Sequence, residues 1–545
     1  MVSLKDDYLA NKDSFEKAGI TVPTFNQTDV ISQGIKNPVW VHFGGGNLFR
    51  GFHSGIAQSL IEQGELPTGV SVIETYDDAV ISEIYRAHNN RHLSVVMHAD
   101  GTFDKTLNAS VAASYYFNAS DSESFEEVAK IFENSSLQVA SFSITEKGYN
   151  LTDSAGSYIP IVLSDIDNDP HHNLPKNNMT ALTFVLLRRF KKTAAPIALL
   201  STDNFSKNGD KLRNSVLTIA NEWLLKGFVP QDFVDYLSDQ EQVSFPYSMI
   251  DRITPNPSEE IGTRLKKDGF DDVEIVHTPK HTNIAPFANT EEVHYLVVED
   301  NFPNGRPAFE KAGVLMTDRE TVNDADQMKV TAALNPLHTA LAIFGSILGY
   351  KSISSEMKND DLVNLIKNIG YSEGLPVVKS PGIIDPKKFI DQLLQKRLPN
   401  PYIPDTPQRI ATDTSQKIPV RYGETIKRYA SNPSRSTNSL EFIPLTIAAW
   451  LRYLLAIDDQ GQKFEPSPDP FLEPLQRKLS GIGLGSTNIH DQVAPILSDS
   501  RYFGSNLYEV GLGDKVEKYF VKLLSGENAV SKTLHETLED KSHFK

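Results

Sequence analysis

Cysteine is absent from these 545 residues. That excludes disulfides, thiolate nucleophiles and cysteine-ligated zinc, and it fits a reducing cytoplasm. Positive charge is in deficit. Lys and Arg number 53 against 70 Asp and Glu, a formal net charge of −17 that argues against a nucleic-acid partner and an anionic membrane surface. No apolar run approaches the ~20 residues that span a bilayer. The N-terminus, MVSLKDDYLANKDSF, is polar and acidic and reads as no secretory signal. Apolar residues make up 39% of the chain, enough for globular cores, and the length calls for two or more of them. A cytoplasmic protein of several domains is the expectation.

What is present begins with a leader, residues 1–36, holding a short helix near Asp6 to Lys17. VWVHF (39–43) then reads as a buried strand. GGGNLFRGF follows, an amphipathic run reaches about Gln63, and GVSVIET ends a second strand at Glu74. Strand, glycine turn, helix, strand and acid, in that order, form the dinucleotide-binding pattern. Gly44, Gly45 and Gly46 let the backbone turn tightly and approach a pyrophosphate, and Asn47, Leu48, Phe49 and Arg50 open the helix whose N-terminus favours an anion. Phe49 stands where a third glycine is usual, and Glu74 comes later than the usual ~20 residues. Glu74 is the candidate for the ribose hydroxyls, with Asp77 and Asp78 as rivals. A carboxylate there repels a 2′-phosphate and favours NAD over NADP.

Residues 91–118 alternate and suggest antiparallel strands or an inserted ribbon. Strands follow at 137–145, 196–202, 245–251, 273–277 and 293–300, with helices near 122–134 and 178–192. This alternation implies a mostly parallel, doubly wound sheet over 37–318. From 319 to 545 strand signals almost vanish and eight helical stretches replace them, at 325–350, 358–370, 386–396, 420–431, 441–457, 470–479, 488–498 and 513–541. The expectation is an α/β Rossmann-type domain followed by an all-α domain. RLPNPYIPDTPQR (397–409), with four prolines, reads as an ordered loop rather than a helix.

MKVTAALNPLHTAL (328–341) sets Lys329, Asn335 and His338 into an apolar run. Burial lowers a lysine's pKa, and a lysine so tuned serves as a general base. The bland alternative is one snorkelling lysine and one satisfied core histidine. HTPKH (277–281) has a metal-like spacing, but Pro279 favours a solvated loop. His171–His172 also read as solvated, and RRFKK (188–192) as cations ending a helix.

Six pieces in order resemble the mannitol dehydrogenase family of polyol and sugar-acid dehydrogenases: VHFGGGNLFRG (41–51), TEKGY (145–149), STDNFSKNG (201–209), MIDRITP (249–255), MKVTAALNPLHTALAIFG (328–345) and the run from RLPNP through DTPQRIATDTSQK (397–417). The resemblance implies a long-chain, metal-free, NAD(P)-dependent enzyme with a small-molecule substrate, and Glu74 makes NAD the expected cofactor. It also implies the roles. Lys329 is the acid–base group, Asn335 and Asn204 polarise the reacting oxygen, and His338 binds substrate hydroxyls. Arg409 and Lys417 are the substrate-side cations, Asp326 manages the proton path, and Asp251 lines the nicotinamide side. The GGGNLFRG and NPLHTALA forms are most similar to the hexuronate-reducing branch, which implies D-mannonate and D-fructuronate. Mannitol 2-dehydrogenase and tagaturonate reductase are the alternatives, and a non-catalytic dinucleotide-binding sensor is the rival of another class. A carboxylate-bearing substrate calls for an extra cation near Arg409, with Lys417 and Arg421 as candidates.

One spacing departs from the family, whose lysine-to-asparagine separation is one residue shorter. On an ideal helix His338, nine residues beyond Lys329, faces roughly 180° away from it, while Asn335 and His338 share a face. Pro336 cannot donate to the carbonyl four residues back, so a break or one-residue bulge is predicted between Lys329 and Asn335.

Overall fold

A computed structural model describes residues 1–542, so the last three residues of the expected helical domain lie outside the described residues. The chain divides into two compact units, Met1–Asn323 and Asp324–Lys545.

Six parallel strands organise the first unit: β1 (Trp40–Phe43), β2 (Val70–Glu74), β3 (Val111–Tyr116), β4 (Val139–Phe142), β5 (Ile197–Ser201) and β6 (Val243–Ser244). Their order in the sheet is β3-β2-β1-β4-β5-β6, so the chain reverses direction across the sheet between β1 and β4. That is the doubly wound dinucleotide fold, whose ligands sit at the carboxyl ends of the strands beside the reversal. Successive side chains of a strand point to opposite faces, and both faces are covered. Val41 and Phe43 of β1 pack in one core with Phe142 and Phe132, while Trp40 packs in another with Phe49, Val72 and Phe309. A strand buried on both faces is mostly apolar, which is why VWVHF, with His42 its one polar residue, shows no polar alternation.

The 91–118 stretch divides its allegiance. His92–Met97 and Phe103–Asn108 form the expected antiparallel pair, but Val111–Tyr116 returns to the main sheet, parallel to β2. The pair is extended by Phe287–Glu291 on one side and Ile20–Thr21 on the other. Residues 1–36 are therefore part of this unit rather than a detached leader. Val2 bridges to Phe270, and Arg91 donates to the carbonyls of Leu4 and Asp6 at 2.9 and 2.7 Å. Ser248–Asp251, Tyr295–Glu299 and Leu315–Thr317 make a separate three-stranded sheet.

The second unit is helical in its described residues. Two of its helices, α1 (Asn335–Ile347) and α2 (Phe442–Leu454), pack together and are buried almost all round. A helix apolar on every face belongs in the middle of a unit. The start of α2 is closed by a carboxylate from elsewhere in the unit. Glu373, itself buried, accepts the N–H groups of Glu441, Phe442 and Ile443 at 2.6–2.8 Å, satisfying orphan donors at the positive end of the helix. Burial pushes its carboxyl up to about 7 against those three bonds. The run Arg319–Ile347 is long and apolar enough by composition to cross a membrane, against the sequence expectation. However, 89% of its apolar window is buried inside the protein, as in a core helix. The proline-rich segment is a loop up to a short helix at Pro407–Ile410, and a helix not expected from the periodicity follows, α3 (Thr414–Arg421), with Pro419 inside it.

Candidate functional site

The glycine turn follows β1, and its three glycines differ in what they do. Gly44 has φ +105°, and a Cβ there would lie 2.3 Å from the Ser143 carbonyl oxygen at the end of β4. No other residue fits so close to a neighbouring backbone. Gly45 is held on both sides, its N–H by a Glu74 carboxylate oxygen at 3.0 Å and its carbonyl by the Tyr85 hydroxyl at 2.9 Å. Gly46 is open: an added Cβ would meet nothing within 4 Å. Helix begins at Asn47, so the first-turn N–H groups, which lack intrahelical partners, lie beside the open glycine. A pyrophosphate fits that donor set. Phe49, in place of a third glycine, is accommodated by a π-helical turn, Phe49–His53, and its ring lies 4.8 Å from that of His42.

Arg50 does not serve the turn as the sequence suggested. It is fully buried, donates to the Asn47 side chain at 2.7 Å and to the Ala285 carbonyl, and burial pulls its guanidinium down to about 10. It is a strut directed into the protein, because the π-turn carries it inward. Glu74 also has a structural duty. Its second oxygen accepts the N–H groups of Thr75 and Tyr76 at 3.1 and 2.8 Å, and burial raises its pKa against these bonds. It braces both the glycine turn and the chain leaving β2. Among its rivals, Asp77 is buried and accepts the Thr278 hydroxyl at 2.6 Å, while Asp78 is exposed.

Asn204 lies exposed on the loop after β5, and Asp251 is buried at the end of its strand. Sequence reasoning overlooked the residue beside Asn204. The Asp203 carboxylate accepts the N–H groups of Ile144 and Thr145 at 3.0 and 2.9 Å and the Tyr149 hydroxyl at 2.6 Å. It ties the STDN segment to TEKGY, two of the six motif pieces. Thr145 has φ +64° and ψ 159°, a conformation that costs about 1–3 kcal/mol and survives only where surroundings impose it. The signal was available: an aspartate one residue before the motif asparagine.

In the second unit the predicted interruption is present. Lys329–Ala333 is a π-helical turn, Leu334 leaves helical geometry at φ −120° and ψ −61°, and α1 starts at Asn335 with Pro336 in its first turn. The Leu334 N–H reaches back five residues to Lys329 O at 3.1 Å. Carbonyls around the interruption find side-chain donors: Thr331 O accepts from Thr425 at 3.2 Å, and Pro336 O from Tyr422 at 2.7 Å. Lys329 is buried, with Nζ 3.7 Å from an Asp326 carboxylate oxygen. The ammonium therefore has an acid beside it.

His338 is buried on α1, and burial pulls its imidazole down to about 4. The charges of Arg397, Arg421 and Arg409 act in the same direction, and that of Asp405 opposes them. The ring is neutral at physiological pH. Its Nε2 is buried with no hydrogen-bond partner in the protein. Asn335 is partly buried at the head of the same helix. Arg409 is exposed and ion-paired with Asp405. The Lys417 ammonium donates to the carbonyls of Ile410, at 3.2 Å, and Thr412, the C-terminal end of a helix where a cation belongs. Arg421, at the end of α3, donates to Thr339 Oγ1 at 2.7 Å. Lys329, Asn335, His338, Arg409, Lys417 and Asp326 thus share one unit, and the glycine turn, Glu74, Asp251 and Asn204 the other.

The remaining candidates are exposed or hold structural bonds. His277 lies in a small hairpin bonded to Asn283 at 2.6 Å, and His281 is exposed. His171 and His172 are exposed. In the basic run, Arg189 is fully buried and donates to carbonyls of Phe132, Leu137 and Ala195, a core role its helix-end position did not reveal. Among the described residues, no group of three or more His, Asp and Glu is arranged to hold a metal ion.

Residues 39–311 match the Mannitol dehydrogenase Rossmann domain, and residues 322–518 match the Mannitol dehydrogenase C-terminal domain. A D-mannonate oxidoreductase of Thermotoga maritima is 49% identical over 538 residues, covering 98% of this chain and 99% of the relative. A mannitol 2-dehydrogenase of Emericella nidulans is 28% identical over 90% of each chain. Two solved structures share the fold. A substrate-free D-sorbitol dehydrogenase has a TM-score of 0.79 at 24% identity, over 95% of this chain and 98% of its own. The Pseudomonas fluorescens mannitol 2-dehydrogenase ternary complex with NAD and D-mannitol has a TM-score of 0.67 at 23% identity, over 96% and 97%.

Proposed function

Since the chain belongs to the mannitol dehydrogenase family, we propose that it is an NAD-dependent, metal-independent oxidoreductase interconverting D-mannonate and D-fructuronate. The observation that carries this reading is the 49% identity to a D-mannonate oxidoreductase along nearly the full length of both chains. A bound nicotinamide cofactor supplies the hydride chemistry. The open Gly46 and the first helical turn receive its pyrophosphate, and the carboxylates closing β2 disfavour a 2′-phosphate.

The chain's own part is proton transfer and charge stabilisation. Lys329, as ammonium, gives its proton to the oxygen that becomes the alcohol during reduction, and as amine it takes that proton back during oxidation. Asp326, beside Nζ, keeps the ammonium compensated and offers the next station for the proton. Asn335 donates its amide N–H to the same oxygen as negative charge develops there, and the family resemblance assigns Asn204 the same task. The neutral His338 ring bonds a substrate hydroxyl, and the family resemblance sets Arg409 and Lys417 on the substrate side. A cytoplasmic location is part of the same proposal.

The test is NADH consumption by the purified protein against D-fructuronate, D-tagaturonate and D-fructose, repeated with NADPH and after exhaustive chelation. D-Fructuronate with NADH is expected to give the highest kcat/KM, and chelation to leave it unchanged. Turnover of none of the three overturns the enzymatic reading and favours a sensor. A better rate with NADPH, or one restored only by zinc, overturns the cofactor or metal assignment.

A further inference from the structure

Three cations act on His338, Arg397, Arg409 and Arg421, and Lys417 stands one helical turn before Arg421. Arg409 is ion-paired with Asp405. The Lys417 ammonium is held by two backbone carbonyls. Arg397 is fully buried, with no surface to offer. Arg421 differs. Its one hydrogen bond is to the hydroxyl of Thr339, the residue after His338. Among the described residues no carboxylate lies within ion-pairing distance of it. It keeps a minor part of its surface accessible, yet burial pulls its guanidinium down to about 10, opposed only by the neighbouring Tyr422 and by no carboxylate. A guanidinium has five donors in a planar fork suited to two carboxylate oxygens, and burying it without an anion is costly. The helix that carries it, α3, packs on the Lys329–Ala333 turn and on α1, so the uncompensated charge lies among the elements that bear the acid–base group. On α1, Nε2 of His338, the residue before Thr339, is also without a hydrogen-bond partner.

We propose that Arg421 binds the carboxylate of the sugar-acid substrate, with His338 Nε2 as its neighbour in that subsite, and so selects a hexuronate or aldonate over the corresponding ketose or polyol. This rests on the sugar-acid reading above and names the residue that enforces it. A neutral polyol leaves the guanidinium as it stands, half-desolvated and unpaired. A carboxylate replaces its lost hydration and neutralises it, and the resulting binding energy is denied to uncharged analogues.

The experiment compares the wild-type protein with Arg421→Met and Arg421→Lys. It measures kcat and KM for D-fructuronate and for D-fructose, and the affinity for D-mannonate by its competitive inhibition. Charge-assisted hydrogen bonds are worth about 1.5–3 kcal/mol, so Arg421→Met should weaken D-mannonate binding by roughly 10- to 150-fold. The loss for D-fructuronate should appear mainly in KM, with the ratio of kcat/KM between D-fructuronate and D-fructose falling by a similar factor. Arg421→Lys, which keeps the charge but not the fork, should recover part of that loss, and it also serves if the methionine variant fails to fold. A wild-type protein that reduces ketoses but no keto acid overturns the sugar-acid reading and this assignment with it. A wild-type protein active on D-fructuronate whose preference ratio and D-mannonate affinity are unchanged in both variants overturns the assignment of Arg421 alone. Equal losses on the acid and the neutral ketose also overturn it, because they mark a structural role.

Discussion

Gly44 and Gly46 lie two residues apart in one turn, and the structure gives them opposite responses to the same methyl group. At Gly44 an alanine must hold φ +105°, outside the left-handed basin that L-residues can reach, for about 1–3 kcal/mol. Its Cβ must also lie 2.3 Å from the Ser143 carbonyl oxygen. That oxygen cannot easily retreat, since the Ser143 N–H is bonded to Phe43 O at 2.8 Å. Overpacking of this kind costs about 1–3 kcal/mol more. The sum, roughly 2–6 kcal/mol, is a large part of a typical domain's margin and corresponds to a Tm lower by roughly 5–15 °C. At Gly46 there is neither a positive φ nor a neighbour within 4 Å. Gly46→Ala should therefore cost under about 1 kcal/mol, the difference between glycine and alanine at a helix start. Its effect should fall on the cofactor, because a methyl on the open side keeps a pyrophosphate off the first-turn N–H groups. Losing one or two such bonds weakens NADH binding by roughly 10- to 150-fold. Thermal unfolding and NADH fluorescence titration of the two variants measure both quantities. A Gly46→Ala protein that binds NADH as tightly as wild type refutes the cradle, and a Gly44→Ala protein of unchanged Tm refutes the strain argument.

Lys329→Ala should fold and bind NADH normally while losing about 10²- to 10⁴-fold in turnover; near-normal turnover would remove it from the acid–base role. Glu356 is buried against α1 with no partner for either carboxyl oxygen, and burial pushes it up to about 9 from its usual 4.5. The native state therefore holds a proton that the unfolded chain releases, and this group's contribution to stability is full below about 4.5 and is lost as pH rises through about 9. Glu356→Gln should flatten that slope, so denaturant unfolding at pH 5 and pH 9 should show the variant gaining on wild type at the higher pH. A pH-independent difference would show that the carboxyl is not titrating in the native state.

The legible parts of this fold are those decided locally. Four strands of the parallel sheet, β1, β2, β4 and β5, were readable because each is a short run buried on both faces, and the helical unit because its stripes recur at helical spacing. What was not legible was decided by distant pairing. His92–Met97 and Val111–Tyr116 alternate alike, yet one pairs antiparallel with its neighbour and the other crosses to β2. The short helices around 407–421 were missed because prolines obscure their periodicity. At the site, residue types announced themselves but directions did not. Arg50 stands in the glycine motif and looked like a cofactor-binding residue, but its guanidinium holds Ala285 O inside the protein. Glu74 looked like a free acid and is a brace for Gly45. Arg421 was one of two candidates for a substrate carboxylate, and only the surroundings set it apart from Lys417.

The π-turns Phe49–His53 and Lys329–Ala333 show how this chain accommodates side chains that a regular helix would misplace. An α-helix advances about 100° per residue, so nine residues from Lys329 to His338 span 900°, which leaves the two roughly 180° apart. A turn that closes one residue later absorbs one of the nine. Eight effective steps span about 800°, which leaves roughly 80° between the two side chains. The insertion frees carbonyls, and the chain meets that cost with donors from one neighbouring segment, Tyr422 and Thr425. Tyr422 directly follows Arg421. The segment that stabilises the distorted turn is therefore the same one that delivers the unpaired guanidinium, so the placement of Lys329 and the charge beside His338 are mechanically linked. The turn after the glycine motif has the matching logic: by rotating Phe49 and Arg50 into the core it leaves only backbone at the open glycine. In both places an insertion that weakens the helix orients the residues the motif is built to present, as expected where local irregularity is retained for function.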